Sequence, residues 1–174
     1  MKNPSLEVIR DRRSTRRFKD TPIGDDVVGT VLEAGRWAPS FSNLQPWKFI
    51  VVRDAGTRKK LQDIASKSVR AFEMREAPVA IVVCVDPEKE PHHYVEDGSA
   101  ATQNMMLAVH SLGLGTFWVG VFNTPQEMEV KNVLKIPEKM RVISILPIGA
   151  AAESRQTDRK DLKEIVYREN FGKT

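Results

Sequence analysis

The fold is decided around the stretch Pro39-Ser-Phe-Ser-Asn-Leu-Gln-Pro-Trp47, where one hydrophobic pattern gives way to another. Apolar residues recur at helical spacing over residues 25–37, whereas the run Trp47-Lys-Phe-Ile-Val-Val-Arg53 is typical of a strand. Between them, two prolines bracket a group of hydrogen-bonding side chains and stiffen the backbone that carries them. The stretch is therefore either a shaped binding loop or an ordinary connecting turn.

Length and composition indicate a single globular domain over residues 1–174. The chain is 41% hydrophobic and 29% charged, as is ordinary for a soluble protein. Its sequence contains no apolar run long enough to span a bilayer and no signal-peptide core. The single cysteine, Cys84, lies in the apolar segment 79–85 and fits a buried strand in a reducing compartment. We therefore predict a cytoplasmic protein that does not associate with membranes.

Helix and strand patterns alternate along the chain. The first predicted helix begins at Pro4 with Asn3 as its N-cap, and a later one is capped by Asp54. Further helices are predicted over 25–37, 66–76, 97–112 and 124–134, with a short terminal helix over 160–167. The predicted strands are 47–53, 79–85, 115–121 and 139–148, and residues 149–152 are predicted to form a turn. Strands interleaved with helices indicate an α/β or α+β sandwich with helices packed on a sheet.

Three segments carry more specific information. The continuous apolar run 79–85 predicts a strand that is buried on both faces. The segment 97–112 is apolar nearly all round, so its helix should lie in the domain centre or be shared with a partner chain. The tetrapeptide Thr124-Pro-Gln-Glu127 has the spacing of a capping box and predicts the start of a helix.

Several familiar catalytic patterns are missing from the sequence. Trp118 stands where a dinucleotide fingerprint needs its third glycine, and the P-loop spacing of 115–120 lacks the following Lys-Ser/Thr. There is no Gly-x-Ser-x-Gly elbow. The adjacent His92 and His93 share neither a helix face nor a strand face, which disfavours a metal site. We therefore predict no metal ligand, and these patterns identify no catalytic side chain.

Positive charge is concentrated near the N-terminus. The formal net charge is +4, and Arg10-Asp-Arg-Arg-Ser-Thr-Arg-Arg-Phe-Lys19 holds six cations and one anion. The segment 12–16 suits a phosphate monoester, because guanidinium groups bind phosphate oxygens bidentately and the serine hydroxyl adds a donor. Arg159 can join from the far end of the chain. The alternative is a nucleic-acid-binding module, but Phe18 is the only aromatic residue in this run and no reader fold is recognisable.

Five motifs occur in order between residues 12 and 166. They are Arg-Arg-Ser-Thr-Arg-Arg-Phe, Ala-Pro-Ser-x-x-Asn-x-Gln-Pro-Trp, Gly-Leu-Gly-Thr-x-Trp, Pro-Ile-Gly and Arg-Lys-x-Leu-x-Glu-Ile-Val. Together they resemble the FMN-dependent nitroreductase family over nearly the whole chain. The chain resembles a compact member, because the link 86–95 is short and residues 118–121 carry no acid, which implies a more open or differently lidded site.

The resemblance implies an α+β fold, a three-layer α-β-α sandwich with a central mixed sheet, in an intertwined homodimer that binds FMN at the subunit interface. The residues that match the family's phosphate and ribityl contacts are Arg12, Arg13, Ser14, Arg16 and Arg159. The residues that match its loop against the isoalloxazine of the other chain are Pro39, Ser40, Phe41 and Asn43. The segment whose backbone faces the flavin is matched by Trp118, Val119 and Gly120.

The resemblance also implies an enzymatic activity. In such an enzyme NAD(P)H delivers hydride to the flavin and leaves, and a nitroaromatic, a quinone or a similar electron-poor acceptor then takes the electrons by a ping-pong mechanism. The flavin carries the redox chemistry, while the protein binds it and tunes it. Related chemistries remain as alternatives: reductive dehalogenation, flavin fragmentation and ring dehydrogenation.

Overall fold

The computed structural model describes residues 3–67, 77–153 and 156–173. The helices are α1 (Pro4–Asp11), α2 (Asp25–Arg36), α3 (Ala55–Ala65), α4 (Tyr94–Ser111) and α5 (Pro125–Leu134). The strands are β1 (Phe18–Lys19), β2 (Trp47–Val52), β3 (Val79–Val85), β4 (Gly115–Thr116), β5 (Val119–Gly120) and β6 (Arg141–Ala151). Single turns of 3₁₀ helix cover Phe41–Asn43 and Leu162–Glu164.

The long strand β6 organises the sheet. It pairs with β3 along one edge and with β1, β4 and β5 elsewhere along its length, and β2 completes the order β1-β6-β3-β2. All five pairings within the described residues are antiparallel, so the predicted mixed sheet is corrected to an antiparallel one. Strands β2 and β3 run antiparallel because the chain between them leaves and re-enters the sheet at the same end, where Val52 pairs with Ala80.

Helices cover both faces of this sheet, which confirms the predicted α+β class and three-layer arrangement. Alternate residues of β3 point to opposite sides, since successive strand side chains alternate. One set (Ala80, Val82, Cys84) packs with α3 and α5, and the other set (Val79, Ile81, Val83, Val85) packs with α2 and α4. Every residue of β3 is buried, so the prediction of burial on both faces is confirmed.

The helix α4 lies close against the sheet and against α2. Gly98 makes the close approach possible, because a Cβ there would lie 2.6 Å from the Ile143 Cγ1 atom. Ala101, Met105 and Val109 form its buried stripe. The helix begins at Tyr94, three residues earlier than predicted. Within the described part of the chain, none of the helices has the length and apolar character needed to cross a bilayer.

Two predicted helix caps are confirmed and one is wrong. The Asn3 and Asp54 side chains accept hydrogen bonds from the first turns of α1 and α3. The predicted capping box at α5 is not formed, because the Glu127 carboxylate is buried and is held by the Arg141 guanidinium. The Thr124 hydroxyl instead donates to the Val121 carbonyl oxygen.

Three element boundaries also differ from the predictions. The predicted strand 115–121 is interrupted after two residues and forms β4 and β5. The predicted turn at 149–152 is largely strand, because Phe18 and Lys19 of β1 pair with Ala151 and Ala150 and extend β6. The predicted helix 160–167 is only the turn Leu162–Glu164. The predicted helix 66–76 lies mostly outside the described residues.

Candidate functional site

The basic segment that follows α1 encloses a small cavity of about 180 Å³. Its lining consists of Arg12, Arg13, Ser14, Arg16, Thr157 and Arg159. The four predicted residues of the N-terminal motif and the predicted arginine near the C-terminus therefore meet in one place, although they are far apart in the sequence. The concentration of donors and positive charge makes this cavity suitable for an anion.

Two arginines of this cavity have guanidinium nitrogens without a hydrogen-bond acceptor. Arg12 Nη1 and Arg13 Nε are buried and donate to no acceptor among the described residues. Burial lowers the pKa of Arg12, and the positive charges of Arg159 and Arg13 lower it further. Buried charges without compensation are costly, so the arrangement is stabilised when an anion enters. A phosphate group fits this requirement because its oxygens accept several guanidinium hydrogen bonds at once.

Backbone contacts fix the orientation of two of these guanidinium groups. Arg13 Nη1 donates to the carbonyl oxygens of Arg10 and Arg12 at 2.5 and 3.0 Å. Arg159 Nη1 donates to the carbonyl oxygen of Asp158 at 3.0 Å and to Thr157 Oγ1 at 3.2 Å. Each side chain keeps further N–H donors beyond those used here, because a guanidinium carries five.

The sheet anchors the extended chain between Arg12 and Arg16. The Thr15 N–H donates to the carbonyl oxygen of Thr116 at 3.0 Å, and the Arg16 N–H donates to Glu153 Oε1 at 2.9 Å. Gly115 allows this contact, because a Cβ there would lie 2.6 Å from Thr15 Cγ2. The position of the basic residues is therefore set by β4 and by the chain that follows β6.

The segment Trp118–Gly120 begins directly after a residue whose ring contacts Arg16. The Arg16 guanidinium lies 5.6 Å from the centre of the Phe117 ring, which directly precedes this segment. Val119 is fully buried among the core residues on the α3 and α5 side of the sheet, whereas Gly120 is exposed. Trp118 is half-buried and packs on the α2 and α4 side of the sheet, and its indole Nε1 lies 3.8 Å from the position that a Cβ on Gly120 would take.

The Pro39–Trp47 stretch is a shaped loop. Ser42, Asn43 and Gln45 have φ angles of 47°, 57° and 49°, in the left-handed region that residues other than glycine seldom occupy. Ser40 Oγ accepts a hydrogen bond from the Gln45 N–H at 3.0 Å, and Gln45 Nε2 donates to the carbonyl and side-chain oxygens of Asn43. Such closely spaced left-handed residues distinguish the loop from an ordinary connecting turn.

The contacts of this loop run to the start of α4. The Phe41 N–H donates to Asp97 Oδ1 at 2.9 Å, and the Phe41 ring stacks on His93 with 4.3 Å between ring centres. The structure thus brings Arg12, Arg13, Ser14, Arg16 and Arg159 together, whereas Trp118, Val119 and Gly120 are not among the residues that line the cavity. The predicted loop of Pro39, Ser40, Phe41 and Asn43 is attached to α4 through Phe41. That the loop serves a cofactor of the partner subunit stays a prediction.

Three residues of these surroundings were missed by the sequence analysis. Thr157 lines the cavity, and its sequence neighbourhood gives no signal. Asp97 is buried in the first turn of α4. An acid within a nearly apolar helix could have been recognised in the sequence as a residue with a specific partner. Glu90 accepts hydrogen bonds from the backbone N–H groups of His92 and His93. Among the described residues, no three histidine, cysteine or acidic side chains are grouped to hold a metal ion.

Comparison with known proteins gives matches over nearly the whole chain. The profile of the Nitroreductase family matches residues 9–73 and 65–150. A relative from Methanothermobacter thermautotrophicus, provisionally named an NADH dehydrogenase/NAD(P)H nitroreductase, is 39% identical over 155 residues, which cover 87% of this chain and 80% of the relative.

Solved structures agree with this result. An FMN-dependent nitroreductase from Clostridium difficile matches with a TM-score of 0.88 at 31% identity, over 95% of this chain and 99% of that one. A provisionally named nitroreductase from Desulfovibrio desulfuricans, in complex with FMN, matches with a TM-score of 0.81 at 33% identity, over 98% and 99% of the two chains.

Proposed function

The chain belongs to the nitroreductase family, as its sequence motifs predicted, and on this premise we propose that it is an FMN-dependent oxidoreductase. It takes electrons from NAD(P)H and delivers them to nitroaromatics, quinones or similar electron-poor acceptors. The observation that carries the proposal is the cavity in which buried arginine donors of Arg12 and Arg13 lack an anionic partner. The similarity to an FMN-dependent nitroreductase and to a nitroreductase in complex with FMN supports the identity of the cofactor.

The basic cavity binds the phosphate end of FMN in this proposal. A phosphate monoester carries about −1.5 to −2 charges at pH 7, which suits the three guanidinium groups of Arg12, Arg13 and Arg159. The Ser14 hydroxyl supplies a further donor, and Arg16, which also lines the cavity, adds positive charge. The volume of about 180 Å³ is below that of typical pockets for whole cofactors, so the cavity takes the phosphate while the rest of the molecule lies beside it.

We place the ring system against the segment Trp118–Gly120, as the family resemblance implies. Gly120 is exposed and has the Trp118 indole beside it, and Val119 is turned into the core. When bound, FMN supplies the redox chemistry that links NAD(P)H oxidation to acceptor reduction. The chain itself binds and orients the cofactor, and backbone N–H groups favour negative charge on the ring. We assign no side chain as a general acid.

A homodimer completes the site in this proposal. The Pro39–Trp47 loop is anchored to α4, and we place it against the ring system bound by the partner. The C-terminal segment exposes several apolar side chains by 40% to 93%, namely Leu162, Ile165, Val166, Tyr167 and Phe171, and such grouped apolar exposure is typical of an interaction site. A second copy of the chain is the partner that we assign to this surface, because two-fold symmetry then makes the two FMN sites of the dimer equivalent. Sedimentation analysis of the FMN-loaded protein tests this arrangement, with a monomer as the contrary result.

The activity is tested by anaerobic titration of the FMN-loaded protein with NADH and with NADPH. We expect at least one nicotinamide to bleach the flavin absorption, and a quinone or a nitroaromatic to restore it. Steady-state rates with varied pairs of substrates should give the parallel lines of a ping-pong mechanism. Bound flavin that neither nicotinamide reduces would overturn the proposed reaction, and assays for dehalogenation, flavin fragmentation and ring dehydrogenation would then be decisive.

A further inference from the structure

The Pro39–Trp47 loop requires support from outside itself. Its three left-handed residues, Ser42, Asn43 and Gln45, each cost about 1–3 kcal/mol relative to relaxed backbone. The hydrogen bonds between Ser40, Asn43 and Gln45 close the loop on itself but do not attach it to the rest of the protein. Such a conformation persists only where the surrounding structure fixes it.

Asp97 supplies one attachment. It lies in the first turn of α4, is 5% exposed, and accepts the Phe41 N–H at 2.9 Å through Oδ1. Its other oxygen, Oδ2, is buried and has no partner among the described residues. A buried carboxylate with an unpaired oxygen is unfavourable for stability alone, whereas a charge-assisted bond to a loop amide is a strong and directional anchor.

His93 supplies the second attachment. Its ring stacks on the Phe41 ring with 4.3 Å between centres and an interplanar angle of 19°. The His93 residue is itself held by Glu90, which is 1% exposed, accepts the His93 N–H and lies 3.4 Å from His93 Nδ1. The backbone N–H and the ring of Phe41 are thus each held by one residue at the beginning of α4, Asp97 and His93 respectively.

We infer that Asp97 and His93 are positioning residues that hold the Pro39–Trp47 loop in its cofactor-facing conformation before FMN binds. The inference rests on the proposed function, since it takes the flavin as the ligand that the loop contacts. A loop that is already ordered loses less freedom on binding, so its positioning residues raise affinity without touching the cofactor. The buried stripe of α4, fixed against the sheet beside Gly98, gives these anchors a rigid base.

Residue-specific hydrogen exchange in the flavin-free protein tests the positioning role. Asp97→Ala removes the acceptor, Asp97→Asn keeps a side-chain oxygen that can accept the Phe41 N–H, and Glu96→Ala is the exposed control next to it. The informative amide is that of Gln45, because it bonds to Ser40 Oγ and not to Asp97. We expect its exchange to accelerate about tenfold in Asp97→Ala, to recover in Asp97→Asn and to stay unchanged in Glu96→Ala.

A second pair of variants covers the case in which Asp97→Ala fails to fold. His93→Ala removes the ring contact from a half-buried position, and His93→Phe restores a ring that can stack on Phe41. We expect faster Gln45 exchange and about fivefold weaker FMN binding in the alanine variant, with both recovered in the phenylalanine variant.

Two outcomes overturn the inference. One is unchanged Gln45 exchange in folded Asp97→Ala and His93→Ala proteins. The other is faster exchange in these variants with unchanged FMN affinity, because the loop would then not serve the cofactor. If the wild-type protein binds no FMN, the proposed function fails, whereas the exchange measured without flavin still reports whether Asp97 and His93 fix the loop.

Discussion

Replacement of Arg12 by alanine separates cofactor binding from protein stability. In the flavin-free protein the Arg12 guanidinium is partly buried, has an unpaired Nη1 and lies near two other positive groups, Arg159 and Arg13. Its removal therefore relieves repulsion and a desolvation cost. We expect the melting temperature of the flavin-free Arg12→Ala protein to stay unchanged or to rise, which is unusual for a substitution at a half-buried residue.

Binding of FMN should change in the opposite direction. A hydrogen bond to a charged group contributes about 1.5–3 kcal/mol, and about 1.4 kcal/mol corresponds to a tenfold change in affinity. Because Arg13 and Arg159 remain in the cavity, we take the lower end of this range. The dissociation constant for FMN is therefore expected to rise about tenfold, and the stabilisation by saturating FMN should fall by about 1.4 kcal/mol.

The assay is a fluorescence titration of flavin-free protein with FMN and, separately, with riboflavin, which lacks the phosphate. The matched control is Arg17→Ala, because Arg17 belongs to the same basic run but is exposed and does not line the cavity. Arg12→Ala should weaken FMN binding and leave riboflavin binding nearly unchanged, while Arg17→Ala should change neither by more than about twofold. Equal losses for FMN and riboflavin, or unchanged FMN affinity, would refute the phosphate assignment.

Three further substitutions test the packing of the fold and the anchoring of the basic segment. Glu127→Gln should lower the free energy of unfolding at pH 7 by about 3 kcal/mol, because it breaks a buried ion pair. Although burial raises the pKa of Glu127, bonds from the arginine partner and two backbone N–H groups lower it below 4.5, so this stability is present above pH 4.5 and is lost on acidification. In urea unfolding at pH 7 and pH 3.5, the wild type should therefore lose more stability than the variant, and equal losses would contradict the assignment. Gly115→Ala should displace Thr15 from β4 and weaken FMN binding. Gly29→Ala should instead stabilise the protein by about 1 kcal/mol, because the added Cβ meets no atom within 4 Å and alanine favours the helix more than glycine does. Unaltered FMN affinity in Gly115→Ala would show that the anchoring of the basic segment is dispensable.

Local sequence signals were sufficient for much of the fold. The caps of α1 and α3 and the bounds of β3 follow from interactions within a few residues, so the sequence predicted them correctly. The errors arise where a distant partner decides the local structure. The extension of β6 depends on pairing with Phe18, and the failed capping box depends on the charge of Arg141 competing for Glu127.

The candidate site shows the same difference between features set by local sequence and features set by distant partners. Residue type pointed to Arg12 as an anion ligand, because guanidinium groups have a restricted set of ligands, and the family motif pointed to Arg159. Their role in binding phosphate stays a prediction. Their meeting in one cavity with Thr157 depends on the whole fold. The attachment of the Pro39–Trp47 loop to Asp97 also depends on it, because the two lie more than fifty residues apart. The sequence predicted the loop and the nearly apolar helix that carries Asp97, but nothing in it paired Asp97 with Phe41.

The visible absorption spectrum of the purified protein tests the central claim most directly. We predict two flavin bands in the spectrum, either as isolated or after FMN is added and the excess removed, and the release of FMN on denaturation. A folded protein that remains colourless after incubation with FMN would contradict the assignment of the cavity lined by Arg12, Arg13 and Arg159 as a cofactor phosphate site.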